Sequence, residues 1–290
     1  MLLNESMIII RASTFREVRM GNLNLGKQDA LYYKYAAPQA DGGHTFVFFN
    51  ALTGDTSTWE TVIGPRLRAA GHGTLAYNMR GQTDSPFSPD LELNADLIVD
   101  DAVRLLNEVM PLRSILVGLS IGGLFAARAW LKGASAVGLV LINTLRRDGP
   151  RLQWIGDALV RAVEVGGLAL FRDLFMPLLV NEKWLADNRT DFLKSDPAYK
   201  PIDPKSGAYK LLAEAGRTAD WDLPYENLDL PTRVITGLQD HIFLDRDDVE
   251  RLFSRLPRAR RIDMRNAGHL IPAEQPEALA EALLTFAKEL

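Results

Sequence analysis

The pentapeptide Gly118-Leu119-Ser120-Ile121-Gly122 sets a serine between two glycines. An apolar run, Ile115 to Val117, leads into it, and a helical pattern from Leu124 through Leu131 follows. A strand that turns sharply into a helix places its central residue in a strained backbone conformation. Side chains two positions before and two after would collide with neighbouring backbone, so glycine suits both places. The hydroxyl is then presented at the carboxyl edge of a sheet. The next backbone N–H, that of Ile121, opens a helix and points at any oxyanion formed beside the serine. The spacing alone is a weak signal, because a glycine-rich turn whose serine merely caps the helix has the same pattern.

A serine hydroxyl is a poor nucleophile at neutral pH and needs a base, itself oriented by a third group. The chain has 4 histidines. His44 sits at the entry of a strand and His72 in the turn Gly71-His72-Gly73, both on the amino edge of the expected sheet. His241 directly follows Asp240. His269 follows the last strand, after Gly268, at a carboxyl end, so position favours it as the base. Asp240 ends the run Gly237-Leu238-Gln239-Asp240 just after another strand. Asp245, Asp247 and Asp248 are better suited to the cap and first turn of the next helix, where negative charge offsets the dipole.

The elements that must position these residues alternate. Strands are expected at Met7 to Ile10, Glu17 to Met20 and Ala30 to Tyr35, with Gly21 and Gly26 as punctuation. Thr45 to Phe49, Thr74 to Tyr77, Ile115 to Val117, Ala136 to Ile142, Thr232 to Gly237 and Ala259 to Met264 are short β-favouring runs. Their lack of alternation suits strands buried on both faces of a parallel sheet. Helical spacing is seen from Trp59 to Ala70, from Asn94 to about Met110, from Arg246 to Leu256 and from Pro276 to the end. The pattern predicts an α/β protein with a doubly wound, mostly parallel sheet. From Thr144 the alternation stops for a long helical stretch. Helices are expected at Trp154 to Val165 and at Leu168 to Val180, the latter bent or ended near Pro177. Shorter pieces are expected at Lys183 to Asn188 and Ser206 to Arg217, with Pro197, Pro201 and Pro204 between them. Phe175 and Leu179, in this stretch, are candidates to line a pocket above the strand ends.

Bulk properties exclude several classes. The 290 residues suit one large domain with an insertion. A net charge of −4, from 33 basic and 37 acidic residues, leaves no basic footprint for nucleic acid. With no cysteine there is no disulfide, thiol nucleophile or thiolate metal site, which fits a cytoplasmic location. No apolar stretch is long enough to span a membrane. The short run Met7 to Ile10 does not suit a signal peptide.

With these residues in place the whole chain resembles the α/β-hydrolase superfamily, with a helical cap inserted after the sixth core strand. Four places carry the resemblance. Gly118 to Gly123 resembles the nucleophile elbow, Gly237 to Asp240 the acid turn, and Asn266-Ala267-Gly268-His269 the histidine loop. Arg80-Gly81 through Ser85 resembles the loop after the fourth strand. Two places depart from the family. Asn50-Ala51 stands where many relatives have a His-Gly pair, and Asn50-Ala51-Leu52-Thr53-Gly54 is similar to the corresponding run of 3-oxoadipate enol-lactonases. Asn78 and Thr83 stand where the family loop usually has aspartate and glycine.

The resemblance implies an eight-stranded sheet, a core of residues 1–144 and 229–290, and a cap of residues 145–228. It implies Ser120 as nucleophile, His269 as base, Asp240 as its orienter, and the backbone N–H groups of Ile121 and Leu52 as oxyanion donors. Asn50, Ala51, Phe175, Leu179 and Arg146 are expected in the substrate pocket. The expected reaction is acyl transfer from a small ester or lactone to water, by a monomer or homodimer, with no metal or organic cofactor. A C–C bond hydrolase of the same fold would need a cation for an acidic substrate, for which Arg80, Arg128, Arg146 and Arg147 are candidates. A non-catalytic receptor on the same fold is the alternative from another class.

Overall fold

The computed structural model describes residues 18–192, 194 and 198–290. The expected strand at Met7 to Ile10, together with Glu17 and Pro197, lies outside the described residues. The strands are β1 (Arg19–Gly26), β2 (Asp29–Ala36), β3 (Thr45–Phe49), β4 (Gly73–Tyr77), β5 (Ser114–Leu119), β6 (Gly138–Ile142), β7 (Thr232–Gly237) and β8 (Ala259–Met264). They form one 8-stranded sheet in the order β1-β2-β4-β3-β5-β6-β7-β8. β2 is antiparallel to both of its neighbours, and every pair from β4 to β8 is parallel. This is the doubly wound, mostly parallel sheet expected of the sequence.

The helices are α1 (Ser57–Glu60), α2 (Ile63–Ala69), α3 (Ala95–Val109), α4 (Ile121–Leu131), α5 (Pro150–Leu179), α6 (Glu182–Asp187), α7 (Gly207–Lys210), α8 (Arg246–Phe253), α9 (Ile271–Glu274) and α10 (Pro276–Lys288). β3 to β7 are buried along their whole length because helices cover both faces. Alternate residues of one strand serve different cores. Phe46 and Phe48 of β3 pack with Trp59, Ile63, Leu67, Leu279 and Leu283, from α1, α2 and α10. Val47 and Phe49 belong to the core on the other face, with Ile98, Ala102 and Leu124 from α3 and α4. The chain leaves β3 in one direction and β5 in the other, so the loops after these adjacent strands open a crevice at the carboxyl edge.

Helix ends follow local chemistry. Asn94 Oδ1 accepts the Leu97 N–H at 3.0 Å, and Asp245 Oδ1 accepts the Asp247 and Asp248 N–H groups at 3.1 Å each. Pro276 takes the first turn of α10, where its missing N–H costs nothing.

Several boundaries differ from expectation. The helix expected from Trp59 to Ala70 is two pieces, broken where Val62 leaves helical geometry (φ −128°). Gly21 lies inside β1 and does not punctuate it. It is registered opposite Tyr33, whose ring occupies the space a Cβ would need. The two helices expected after Thr144 are present as the two arms of α5, which meet at a break at Gly167 (φ 68°), and the second ends at Leu179, near Pro177. Lys200 crosses there, and its carbonyl fills the place of a side chain at Gly167. The region from Ser206 begins as α7 and continues as a π-helical turn, Leu211–Ala215.

The turn from β5 into α4 is a close crossing near the crevice. A Cβ at Gly122 would fall against the carbonyl oxygens of Phe49 and Asn50, so α4 can approach β3 only through glycine. Gly122→Ala is therefore expected to cost about 1–3 kcal/mol of stability, as overpacking of a rigid site does. Denaturant unfolding measures it, and an unchanged midpoint would mean that α4 moves away from β3 freely.

Candidate active site

Ser120 sits between β5 and α4 at φ 57°, ψ −124°, a region that non-glycine residues rarely occupy. Its N–H donates to Ile142 O at 2.7 Å, which fixes the turn to the end of β6. A Cβ at Gly118 would meet the backbone of Gly122 and Gly123. The Ser120 side chain makes no capping bond to α4, so the turn does not use its hydroxyl as a helix cap.

Asp240 lies in the turn after β7 and His269 in the loop after β8, each 4% exposed. His269 Nδ1 lies 2.6 Å from Asp240 Oδ2. Asp240 Oδ1 accepts the N–H groups of Ile242 at 3.0 Å and Phe243 at 2.9 Å. Burial alone would raise the Asp240 carboxyl. The His269 ring and its hydrogen bond, the Phe243 N–H and the nearby Arg146 guanidinium outweigh burial and hold it below the usual carboxylate range. Asp240 is therefore ionised at neutral pH, and His269 carries its proton on Nδ1. Ser120 and His269 line one cavity. Among the described residues no hydrogen bond joins them; Ser120 Oγ instead accepts from Arg146 Nη2 at 3.0 Å.

Ile121, Ala51 and Leu52 also line the cavity. The N–H of Ile121 begins α4. The loop carrying Ala51 and Leu52 is held from behind by Gln82, whose Nε2 donates to Ala51 O at 2.8 Å and Leu52 O at 3.2 Å. Gln82 Oε1 in turn accepts from Asn50 Nδ2 at 3.0 Å and from the Met79 N–H at 2.9 Å. Asn50 does not line the cavity as expected. It is 1% exposed and faces inward, accepting from Trp59 Nε1 at 2.8 Å and donating to Tyr77 O at 2.8 Å. Asn78 extends the same lattice by accepting the Thr56 N–H at 2.8 Å. The departures at Asn50 and Asn78 thus sit in the hydrogen bonding behind the loop and not on its substrate side.

The His269 loop is anchored by groups the sequence did not single out. Asn143, at φ 49°, donates from Nδ2 to Gly268 O at 2.9 Å and His269 O at 2.8 Å, and accepts the Gly237 N–H at 2.8 Å. It ties the ends of β6, β7 and β8 together. Buried Glu274 accepts the N–H groups of Gly268 at 2.8 Å, Leu270 at 2.9 Å and Asn181 at 2.7 Å, and also Asn181 Nδ2 at 2.7 Å. The only sequence signal was Asn143 itself, a residue tolerant of left-handed backbone placed at a strand end.

The cavity holds about 520 Å³. Leu152, Leu159, Phe171, Met176, Leu212 and Trp221 give it apolar walls, drawn mostly from α5 and the π-helical turn. Leu179 and Arg146 line it. Phe175 does not; its ring packs on Phe171, 5.5 Å between centroids. Of the four arginines considered, only Arg146 reaches the cavity. Arg80 is buried between Asp29 and Asp101, Arg128 pairs with Asp96, and Arg147 lies 3.5 Å from Asp248. Burial lowers the Arg146 guanidinium to about 10, so it stays charged at neutral pH. His44 and His72 contact each other at the amino edge, with ring centroids 5.8 Å apart, and His241 is exposed. Among the described residues no group of 3 or more His, Cys, Asp or Glu side chains is placed to hold a metal ion. No helix among them is long and apolar enough to cross a membrane.

Comparison with known proteins gives three kinds of likeness. The profile of a family described as "Alpha/beta hydrolase family" matches residues 46–282. The protein named "Putative carbamate hydrolase RutD" from Variovorax paradoxus is 27% identical over 212 residues, which cover 72% of this chain and 78% of that one. A thermophilic esterase from Thermogutta terrifontis superposes with TM-score 0.72 at 19% identity, covering 93% of this chain and 98% of the other. The enol-lactonase from Burkholderia xenovorans LB400 superposes with TM-score 0.70 at 20% identity, covering 90% and 97%. At these identities the two structural likenesses show a shared fold.

Glu274 offers a direct test of the anchoring. Glu274→Ala leaves buried N–H donors without their acceptor, at about 1–3 kcal/mol for each one left unsatisfied. The expected loss in unfolding free energy is on the order of 3–5 kcal/mol, with Glu274→Gln milder because it keeps one acceptor oxygen. Wild-type stability in both variants would show that the loop holds itself.

Proposed function

The chain belongs to the alpha/beta hydrolase family, and from that premise we propose that it is a serine hydrolase that opens esters or lactones through an acyl-enzyme. The observation that carries this is the buried 2.6 Å contact between Asp240 and His269, the latter lining the same cavity as Ser120. Ser120 Oγ attacks the substrate carbonyl and its proton passes to His269 Nε2. Asp240 keeps the ring oriented and stabilises the imidazolium without taking the proton itself. The developing oxyanion is met by the N–H groups of Ile121 and Leu52. Each such donor is worth on the order of 10²–10³ in rate. His269 then protonates the leaving oxygen. Water enters, His269 removes its proton, and the acid is released from Ser120. This chemistry requires neither a metal nor an organic cofactor.

In this proposal residues 145–228 act as a cap that shapes the acyl pocket, which is supported by the share of lining side chains that α5 supplies. The names of two neighbours, an esterase and an enol-lactonase, fit the reaction class. The carbamate hydrolase name of the Variovorax relative brings a second substrate class into scope. A carbamate presents the same kind of carbonyl to the same groups.

A fluorophosphonate probe tests the proposal. One adduct per chain, mapped to Ser120 by mass spectrometry and accompanied by p-nitrophenyl acetate turnover, is the expected result. Folded protein with neither adduct nor turnover would point to a binding protein on a hydrolase fold. Ser120→Ala and His269→Ala should each lower kcat by about four to six orders of magnitude, with the double variant no worse than either, because the triad acts as a unit. Asp240→Asn should lower kcat by about 10⁴-fold. His241→Ala should keep wild-type rates; a comparable loss there would reassign the base.

A further inference from the structure

Arg146 is the one charged group at Ser120 that the acyl-transfer scheme leaves without a task. Its guanidinium carbon lies 4.6 Å from the centroid of the Trp221 ring and 4.3 Å from that of Phe243. Two aromatic faces hold the plane of the cation in place. Nη2 donates to Ser120 Oγ at 3.0 Å and Asn143 O at 2.7 Å. Nε is buried and has no partner. The residue is 6% exposed, and what exposure it has faces the cavity it lines.

Other buried arginines are neutralised within the chain. Arg80 has Asp29 and Asp101, and Arg233 has Glu289 at 2.7 Å. Among the described residues no carboxylate forms an ion pair with Arg146. Asp240 is near enough to be felt, but its oxygens are occupied by His269 and by the Ile242 and Phe243 N–H groups. Elsewhere on the cavity wall Asp157 is paired with Arg217 at 2.9 Å. Asp240 therefore acts on Arg146 only through space, and the place of a directly hydrogen-bonded anion on this guanidinium is left to what the cavity receives.

We propose that Arg146 is a specificity-determining residue of this site, and that it recognises a carboxylate on the acyl portion of the substrate, as in a half-ester or lactone of a short dicarboxylic acid. The proposal rests on the acyl-transfer reading above. Nη2 touches the oxygen that would bond to the acyl carbon, so an anion held by this guanidinium lies only a short chain from that carbon. The acyl portion also stays on the enzyme through both half-reactions, so its carboxylate neutralises Arg146 throughout. A planar fork of donors suits a carboxylate, whereas lysine would offer a point charge.

The test compares p-nitrophenyl hydrogen glutarate with p-nitrophenyl valerate, which have equal acyl length and differ in the terminal charge. In the wild-type protein kcat/KM for the glutarate half-ester is expected to exceed that for the valerate by about tenfold or more, the factor expected of a charge-assisted hydrogen bond. Arg146→Met is expected to bring the ratio to about one, whatever it does to each rate, and Arg146→Lys to restore part of it. A role confined to supporting Asp240 or Ser120 would lower both rates alike and leave the ratio unchanged, which overturns the proposal, as does equal use of both esters by the wild type. If Arg146→Met does not fold, protection of wild-type Ser120 from the fluorophosphonate decides. Free glutarate should slow labelling and valeramide should not; equal effects overturn the proposal. Labelling of Ser120 with no preference between the esters refutes the carboxylate alone, whereas no labelling and no turnover of either ester refutes the acyl-transfer reading and this inference with it.

Discussion

A carboxylate that must stay ionised while buried constrains the whole carboxyl edge of the sheet. Asp240 is removed from water, which alone would favour its neutral form. The His269 imidazole on one oxygen, the Phe243 N–H on the other and the nearby Arg146 guanidinium reverse that preference. Those partners are available only if the turn after β7 and the loop after β8 keep a fixed relation. Parallel pairing of β7 with β8, from Thr232 opposite Ala259 to Gly237 opposite Met264, delivers both loops to the same edge. Asn143 then bridges them from the end of β6.

The same economy governs the loop after β3. Its carbonyls at Ala51 and Leu52 are held by Gln82, which fixes the loop where both residues line the cavity. Asn50 and Asn78, the positions where this chain departs from the usual family pattern, supply the buried acceptors and donors behind that loop. Side-chain amides carry both donors and acceptors, so a pair of them can close such a lattice without any net charge.

Much of this was legible in the sequence, for identifiable reasons. The strands from Thr45 to Phe49 and from Ser114 to Leu119 are β-favouring runs without polar alternation because both sheet faces are covered, and that pattern is local. The edge at which Ser120, Asp240 and His269 emerge follows from which end of a strand each residue trails. Glu274 and Asn143 were not legible. Their roles consist of hydrogen bonds to residues distant in sequence, such as Asn181 and Gly268, and nothing beside them in the chain announces it. The direction of Asn50 was not legible, because a position after a strand can face either way and its partners Trp59 and Gln82, which turn it inward, meet it only in the fold. The break in α5 was legible as a gap between Val165 and Leu168, but its cause was not, because the room beside Gly167 is taken by Lys200, from another segment. Arg146 was one arginine among several until the structure showed which were neutralised and which was not.

The C-terminal end of α5 has a further consequence. The last carbonyls of a helix have no partner within it. Here Leu178 O accepts the His241 N–H at 2.8 Å and Leu179 O accepts the His269 N–H at 2.5 Å. The last turn of α5 and the two loops that hold Asp240 and His269 are therefore joined through backbone hydrogen bonds into one cooperative unit. In hydrogen exchange these amides should open together with the last turn of α5, and separately from the sheet beneath.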